Sequence, residues 1–352
     1  MDEEVIFHIG IDDIDTPYGG CTTHYASLLL AETIKSRDIE LIDYPNLIRL
    51  NPGVPWKTRG NGGVALRFHT KSYDKALDLF EYAISFLDDY VREYGRWREH
   101  SQPSIILYYG EVNELIEWFS RKALYDLIPL DLLYRVLDKI RDNTKYYVTK
   151  GKGRGLIGGL ASIGYRMLDT DYTYELLAYR SLEYLGTERR VEWRTIREMD
   201  NLYSEETILN YDYEEDKPLI IPHGPDPVLL GIRGEGPNVL IKAFNKLIIH
   251  EPVPLRIIYR TNQHTDAHLK VIPDLSEAYI YRSVRVRVKV SSKPHRVIGG
   301  HVIFKATDGF REIDVAVYEP TGHFRDIVEK LEVGDEIEVM GVIRPHSSRH
   351  GK

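Results

Sequence analysis

The sequence predicts an α+β chain of more than one domain: an α/β N-terminal part, a small α+β part, and a C-terminal barrel of the OB type. Three observations carry that prediction. At 352 residues the chain exceeds one ordinary compact domain. Hydrophobic residues at 43% and charged residues at 28% make a core-forming composition and not a disordered one. The texture also changes along the chain, from strands alternating with helices to a last stretch, from about residue 275, that is almost all strand.

Taken in order, VIFHIGI is an apolar, β-branched run of strand length. TTHYASLLLAETIKSR follows as a helix, with threonine at its start and Leu28, Leu29 and Ala31 at helical spacing. DYPNLIRLNPGVPWKTRGNGGVALRFHT gives a short strand, a Pro- and Gly-rich loop and a second strand. Residues 73–99 and 111–141 read as helical, with SIILYYG between them as a strand. KYYVTK leads into the glycine cluster GKGRGLIGG, after which LASIGYRM opens another helix. The acidic stretch from Asp200 and the loop-rich KPLIIPHGPDPVLLGIRGEG mark a boundary, and VLIKAFNKLI and PLRIIYRTNQ supply a helix and a strand. SVRVRVKV, GHVIFKAT, REIDVAVY and DEIEVMGVI alternate as strands, with the short helix GHFRDIVEKL before the last, a pattern compatible with a five-stranded OB barrel.

The net charge of −8 does not advertise a nucleic-acid binder, but the charge is segregated. DNLYSEETILNYDYEED (200–216) has no Lys or Arg, and Ala278 to Thr307 has no Asp or Glu. The acidic run reads as a solvated linker. A single cysteine, Cys21, excludes an internal disulfide and a multi-cysteine zinc site within the chain. No apolar run approaches the roughly 20 residues that span a bilayer, and MDEEVIFHIG lacks a signal peptide's basic start. The expectation is a cytoplasmic chain with no membrane partner.

HIGIDDIDTPYGGCTTHY sets Asp12, Asp13 and Asp15 at the end of a strand and Thr22 and Thr23 at the start of a helix. Carboxylates beside a helix N-terminus suit Mg²⁺ with a triphosphate. A solvated acidic turn capped by threonine remains the plain alternative. In NPGVPWKTRGNGG, Lys57 and Arg59 lie beside the backbone of Gly60 and Asn61, an arrangement suited to phosphate or to an ordinary surface loop. Gly153, Gly155 and Gly158 satisfy G-x-G-x-x-G, yet no βαβ unit surrounds them, and Lys152 and Arg154 fit a triphosphate or RNA better than a dinucleotide. Arg285, Arg287 and Lys289 alternate with valine on one strand face, extended by Lys293 and Arg296, and this one-signed stripe is expected to track a nucleic-acid backbone. His264, Asp266 and His268 alternate in RTNQHTDAHL, where a hydrogen-bonded polar loop competes with metal binding.

Together GIDDID with CTT, RLNPGVPWKTRGNGGVAL, GKGRGLIGGLASIG, DPVLLGIRG and RTNQHTDAHL resemble the archaeal tRNA 2-agmatinylcytidine synthetase family across nearly the whole chain. Ile14 and Thr16 depart from the family pattern without removing a carboxylate. The resemblance implies a kinase-like ATP-binding domain over 1–195, a ferredoxin-like domain over 196–274 and an RNA-binding OB-fold over 275–346. It further implies ATP-dependent attachment of agmatine to C2 of the wobble cytidine in the CAU-anticodon isoleucine tRNA. The cytosine O2 would be activated by phosphorylation, the threonine matching Thr22 would be phosphorylated, and decoding would switch from AUG to AUA. In that scheme Asp12, Asp13 and Asp15 hold Mg²⁺ and ATP, and Lys57, Arg59, Lys152 and Arg154 clamp phosphates. Asp226 offers a carboxylate to dicationic agmatine. Family members usually continue into a cysteine-rich zinc ribbon. This chain has no cysteines for one, so the ribbon is expected to be absent, through truncation or in a shortened branch. A non-catalytic OB-fold RNA-binding protein is the rival reading.

Overall fold

In the computed structural model, residues 4–16, 19–36, 38–94 and 101–345 are described. The first third of the chain runs β1 (Val5–Asp12), α1 (Thr22–Thr33), β2 (Ile39–Leu41), β3 (Asn46–Arg49), β4 (Gly62–Thr70), α2 (Tyr73–Tyr94) and β5 (Ser104–Tyr109). Next come α3 (Glu114–Tyr125), α4 (Leu130–Lys139), β6 (Thr144–Val148), α5 (Gly155–Gly164) and β7 (Thr173–Tyr179). Then follow α6 (Trp193–Tyr203), β8 (Thr207–Ile208), β9 (Tyr211–Asp212), β10 (Lys217–Pro218), β11 (Val228–Gly234), α7 (Pro237–Phe244) and β12 (Leu255–Thr261).

All of these strands but the β9–β10 pair join one ten-stranded sheet, ordered β6-β5-β1-β4-β3-β12-β7-β11-β8 with β2 on β4. Its pairs are antiparallel except β3 with β12, where Arg260 and Thr261 lie beside Asn46 and Leu47. That parallel seam joins the N-terminal strands to the later ones. β1 alternates its faces: Phe7, Ile9 and Ile11 enter the core beneath α1 and α2, together with Leu177, Tyr179 and Tyr259. The opposite face receives α5, which lies against β1, β4 and β5. Close approach there requires glycine, since a Cβ on Gly159 would meet the Gly10 backbone at 3.2 Å. Arg67, 5% exposed, closes the far end of α5 by donating to the carbonyls of Ser162, Ile163 and Tyr165.

The second unit comprises 268–352 with 51–55 and 125–127. Its sheet contains β13 (Lys270–Val271), β14 (Ser283–Val290), β15 (His295–Arg296), β16 (Val302–Thr307), β17 (Glu312–Val317) and β18 (Glu336–Val342), with α8 (Phe324–Val328) before the last strand. Valines 284, 286, 288 and 290 of β14 line its core with Val302 and Phe304.

Several expectations change. The boundary drawn at 195 falls inside the first sheet, because β7 is paired on both edges, with β11 and β12. Long-range pairing of this kind leaves no local mark in composition. The acidic run 200–216 is no linker: it completes α6 and forms β8 and β9. The 111–141 helix is two helices, with Pro129 as the N-cap of the second. The helix expected after the glycine cluster starts inside it, at Gly155. Residues 95–99 of the helix expected over 73–99, and position 346 at the end of the expected third domain, lie outside the described residues.

Candidate functional site

β1 hands the chain to α1 through a turn holding all three aspartates, and their carboxylates go to three different places. Asp12 Oδ2 lies directly on Gly158 of α5, where a Cβ would stand 1.9 Å away. Loss of hydration, then the charge of Asp13, pushes the Asp12 carboxyl well above the usual range. Asp13 takes a left-handed backbone with φ of 63°. Its Oδ2 accepts from Arg154 Nη2 at 2.7 Å, from Arg154 Nε at 3.1 Å and from the Gln102 N–H at 2.9 Å. Burial nonetheless pushes its pKa up to about 6, against the pull of Arg154 and the Gln102 N–H. Asp15 turns toward α1: its Oδ2 accepts the Thr22 hydroxyl at 2.9 Å and its Oδ1 lies 3.1 Å from Arg59 Nη1.

The single acidic cluster that their adjacency suggests is thereby corrected, since Asp12, Asp13 and Asp15 face different partners. Among the described residues no three His, Cys, Asp or Glu side chains converge as metal ligands. Each aspartate is drawn to its own partner, so the three as arranged do not fit a shared ion.

A cavity of about 460 Å³ opens beside Asp15 and Thr22. Thr22, 1% exposed, begins α1 behind the N-cap Cys21, whose side chain makes no capping bond but meets Thr23 Oγ1 at 3.0 Å. Cys21 also lines the cavity, and burial pushes its thiol up to about 11, so it stays protonated at neutral pH. Arg59 enters from the loop before β4 with φ of 42° and bridges two acids, Asp15 at 3.1 Å and Asp226 at 3.5 Å. Asp226 is held by the Val228 N–H at 3.0 Å and by Arg189 at 3.4 Å, which leaves Oδ2 turned to Arg59. Leu47, Leu177, Leu219, Ile220 and Val228 supply apolar wall.

Of the residues singled out from sequence, Asp15, Thr22, Arg59, Gly60 and Asp226 line this cavity. Asp12, Asp13, Lys57, Asn61, Lys152 and Arg154 are not part of its lining. Lys57 donates to the Arg59 carbonyl at 2.7 Å, a bond that shapes the loop. Lys152 is exposed, and its backbone N–H and that of Arg154 both donate to Gln102 Oε1 at 3.0 Å. Gln102 thus ties the glycine loop to the end of β1. Sequence reasoning misses Arg49, Glu175 and Arg233 in the cavity wall and Arg189 behind Asp226. Arg49, Arg233 and Gln263 stand inside RLNP, GIRG and RTNQ, so the motifs are visible in the sequence while the pairing is not.

The basic stripe needs a second correction. It is not one-signed in three dimensions, because β18 lies antiparallel to β14 with Glu338 opposite Arg287 and Glu336 opposite Lys289. Arg285 meets Glu338 at 2.7 Å, Arg287 meets Glu338 at 3.6 Å, and Lys289 meets Glu336 at 3.0 Å. Lys293 meets Glu332 at 3.0 Å, and Arg296 meets Glu329 at 2.6 Å and Asp326 at 2.8 Å. The acids arrive from residues 326–338, outside the segment that carries the stripe.

The family model described as TiaS TCKD domain matches residues 8–150, and that described as TiaS FLD domain matches 153–268. The isoleucine-tRNA 2-agmatinylcytidine synthetase TiaS of Staphylothermus marinus is 60% identical over 350 residues, covering 99% of this chain and 76% of that protein. A solved complex of TiaS with its isoleucine tRNA and ATP superposes with a TM-score of 0.86 at 34% identity, covering 96% of this chain and 78% of the other. A solved complex of TiaS with the same tRNA, AMPCPP and agmatine gives 0.84 at 34%, covering 96% and 79%. With both models matched in order and a relative this similar along nearly its whole length, the chain belongs to the TiaS family.

Proposed function

We propose that this chain is an ATP-dependent tRNA-modifying ligase. It joins agmatine to C2 of the wobble cytidine of the CAU-anticodon isoleucine tRNA and so switches decoding from AUG to AUA. The observation that carries this reading is the Thr22 hydroxyl, hydrogen-bonded to Asp15 at the edge of a cavity that also holds Asp226. A hydroxyl that donates to a carboxylate is set to lose its proton as its oxygen attacks a phosphoryl group. In this reading Thr22 Oγ1 takes the γ-phosphoryl of ATP, Asp15 takes the hydroxyl proton, and ADP departs. The cytosine O2 is itself activated by a phosphoryl group that comes from ATP, and the primary amine of agmatine then attacks C2, giving up its proton as the C2–O bond breaks and phosphate leaves. Asp226 lies where it can hold agmatine's other cation, since a buried carboxylate turned into a cavity favours a positive ligand.

Arg154 and Arg59, which neutralise Asp13 and Asp15 here, would turn to the phosphates of ATP when it binds. Magnesium would accompany the nucleotide as counter-ion and ease charge build-up on its phosphates. No step is assigned to it, because the three aspartates do not meet on one point. We assign 8–150 to a kinase-like domain, 153–268 to a ferredoxin-like domain and the unit beginning at 268 to an OB-fold. On that last unit Arg285, Arg287, Lys289, Lys293 and Arg296 would follow the RNA backbone, with phosphates replacing carboxylates in exposed pairs that are each worth little. Among the described residues no helix is long and apolar enough to cross a membrane. A tRNA-modifying role implies a cytoplasmic location, beside the substrate.

The test is incubation with γ-³²P-ATP, Mg²⁺, agmatine and a CAU-anticodon isoleucine tRNA transcript, followed by nucleoside mass spectrometry. Agmatine-modified cytidine from the wild type and none from Thr22→Ala is expected. RNA binding without any ATP turnover would replace this reading with a non-catalytic RNA-binding protein.

A further inference from the structure

Across the cavity wall two arginines share one buried acid. Glu175 of β7 is 2% exposed. Its Oε1 accepts from Arg233 Nε at 3.0 Å, and its Oε2 accepts from Gln263 Nε2 and lies 3.7 Å from Arg49. Both guanidinium groups keep 28% of their side-chain surface exposed, and both line the cavity. Neighbouring residues are built around this arrangement. Asn262, fully buried, accepts the Arg49 N–H at 2.7 Å and donates to its carbonyl at 3.0 Å. A Cβ on Gly60 would stand 2.7 Å from Arg49 Nη1, so any side chain there would displace the guanidinium.

We propose that Arg49 and Arg233, braced by Glu175, form an anion subsite that takes one backbone phosphate of the RNA acceptor beside the nucleotide to be modified. The charge count selects the ligand. Two guanidinium groups against one carboxylate leave one net positive charge, which matches a phosphodiester and falls far short of a triphosphate. The forked donors of arginine suit two phosphate oxygens, and Glu175 removes the rotamer freedom that two long side chains otherwise lose on binding. The cavity is thus bipolar: Asp15 and Asp226 face a cationic amine, and Arg49 and Arg233 hold the nucleotide that receives it. Arg49 and Arg233 act as specificity determinants, and Glu175 as a positioning residue. This assignment rests on the tRNA-modifying reading.

The test is steady-state kinetics and tRNA titration with Arg49→Gln and Arg233→Gln in the full chain. Each is expected to raise the KM for tRNA about tenfold while the KM values for ATP and agmatine stay within about twofold. Each should also lower the slope of log K against log salt by about 0.7, one single-strand contact. A methylphosphonate at the contacted linkage should weaken wild-type binding and leave the matching variant unaffected. A raised KM for ATP with tRNA binding unchanged would move the subsite to the triphosphate and overturn the proposal. So would wild-type salt slopes in both variants. Glu175→Gln keeps both cations but loosens them, so it should weaken tRNA binding less than Arg49→Gln does and leave the salt slope at the wild-type value, and an unchanged affinity would refute the bracing role. If Arg49→Gln does not fold, Arg49→Lys keeps the charge without the fork and should still raise the KM for tRNA. Failure of the wild type to make modified cytidine would strike the enzymatic reading, while the titrations would still decide the subsite.

Discussion

Glu175 and Glu338 do the same job in two parts of the molecule, and with different consequences. Each faces two arginines, Arg49 and Arg233 for Glu175, Arg285 and Arg287 for Glu338. Glu175 is 2% exposed and its second oxygen is occupied by Gln263, so the two arginines have one arrangement. Glu338 is 31% exposed, and Arg287, at 90%, stands almost wholly in water 3.6 Å from the carboxylate. Composition alone does not distinguish the two clusters. Burial does, by raising the cost of separating charges and by excluding the water that would otherwise take over each bond.

A third pair marks the far end of the scale. Arg180 and Glu251 are 1% and 0% exposed and meet at 2.8 Å, with further bonds from Arg180 to the Thr187 and Glu188 carbonyls. If burial sets the value of such pairs, Glu251→Ala should cost about 4 kcal/mol, because it strands a guanidinium in the interior. Urea denaturation measures this, and a cost below about 1 kcal/mol would break the comparison at its strongest point. Glu175→Gln is expected to cost about 2 kcal/mol, since its arginines retain some water. Glu338→Gln should leave the denaturation midpoint unchanged, and about 1 M salt should erase any residual difference between it and the wild type. A Glu338 effect as large as that of Glu175 would mean the ladder on β14 and β18 is rigid, which would weigh against RNA phosphates replacing its carboxylates.

Titration sharpens the same point with neutral groups. Burial lowers the pKa of His24 to about 4, and burial followed by the charge of Arg67 lowers that of His8 to about 3. Both values lie below the ordinary histidine value, so the unfolded chain binds more protons once the pH falls below about 6.5. The stability tied to these neutral rings is present above that value and is lost as pH falls toward about 4. The expected slope is about 1.4 kcal/mol per pH unit for each histidine. Chemical denaturation at stepped pH should show it, reduced by one proton in His24→Gln. An unchanged slope in that variant would mean His24 is protonated in the folded protein.

Legibility follows the range of the interactions. β1, the aspartate turn and the start of α1 are readable because alternation, charge and a helix start all lie within neighbouring residues. The strands of the last unit are readable for the same reason, since β14 shows its period of two directly. Where partners are distant, local pattern carries no signal. Glu175 takes its partners from positions 49, 233 and 263, and nothing near Glu175 marks it as shared. The three aspartates look like one ligand set because they are adjacent, yet backbone direction sends Asp13 to Arg154 and Asp15 to Thr22 and Arg59.

By itself the sequence determined most of the element types, the charge segregation, the motifs that resemble one family and the crowding of acids before Thr22. These follow from period, turn chemistry and residue type, which act over a few residues. Only the tertiary structure decided which charges meet: the parallel seam of β3 and β12, the acids that answer the basic stripe, and the cavity with opposite poles. Such pairings depend on which strands become neighbours, and the burial they create sets whether an ion pair is a fixed part of a site or a passing contact in water.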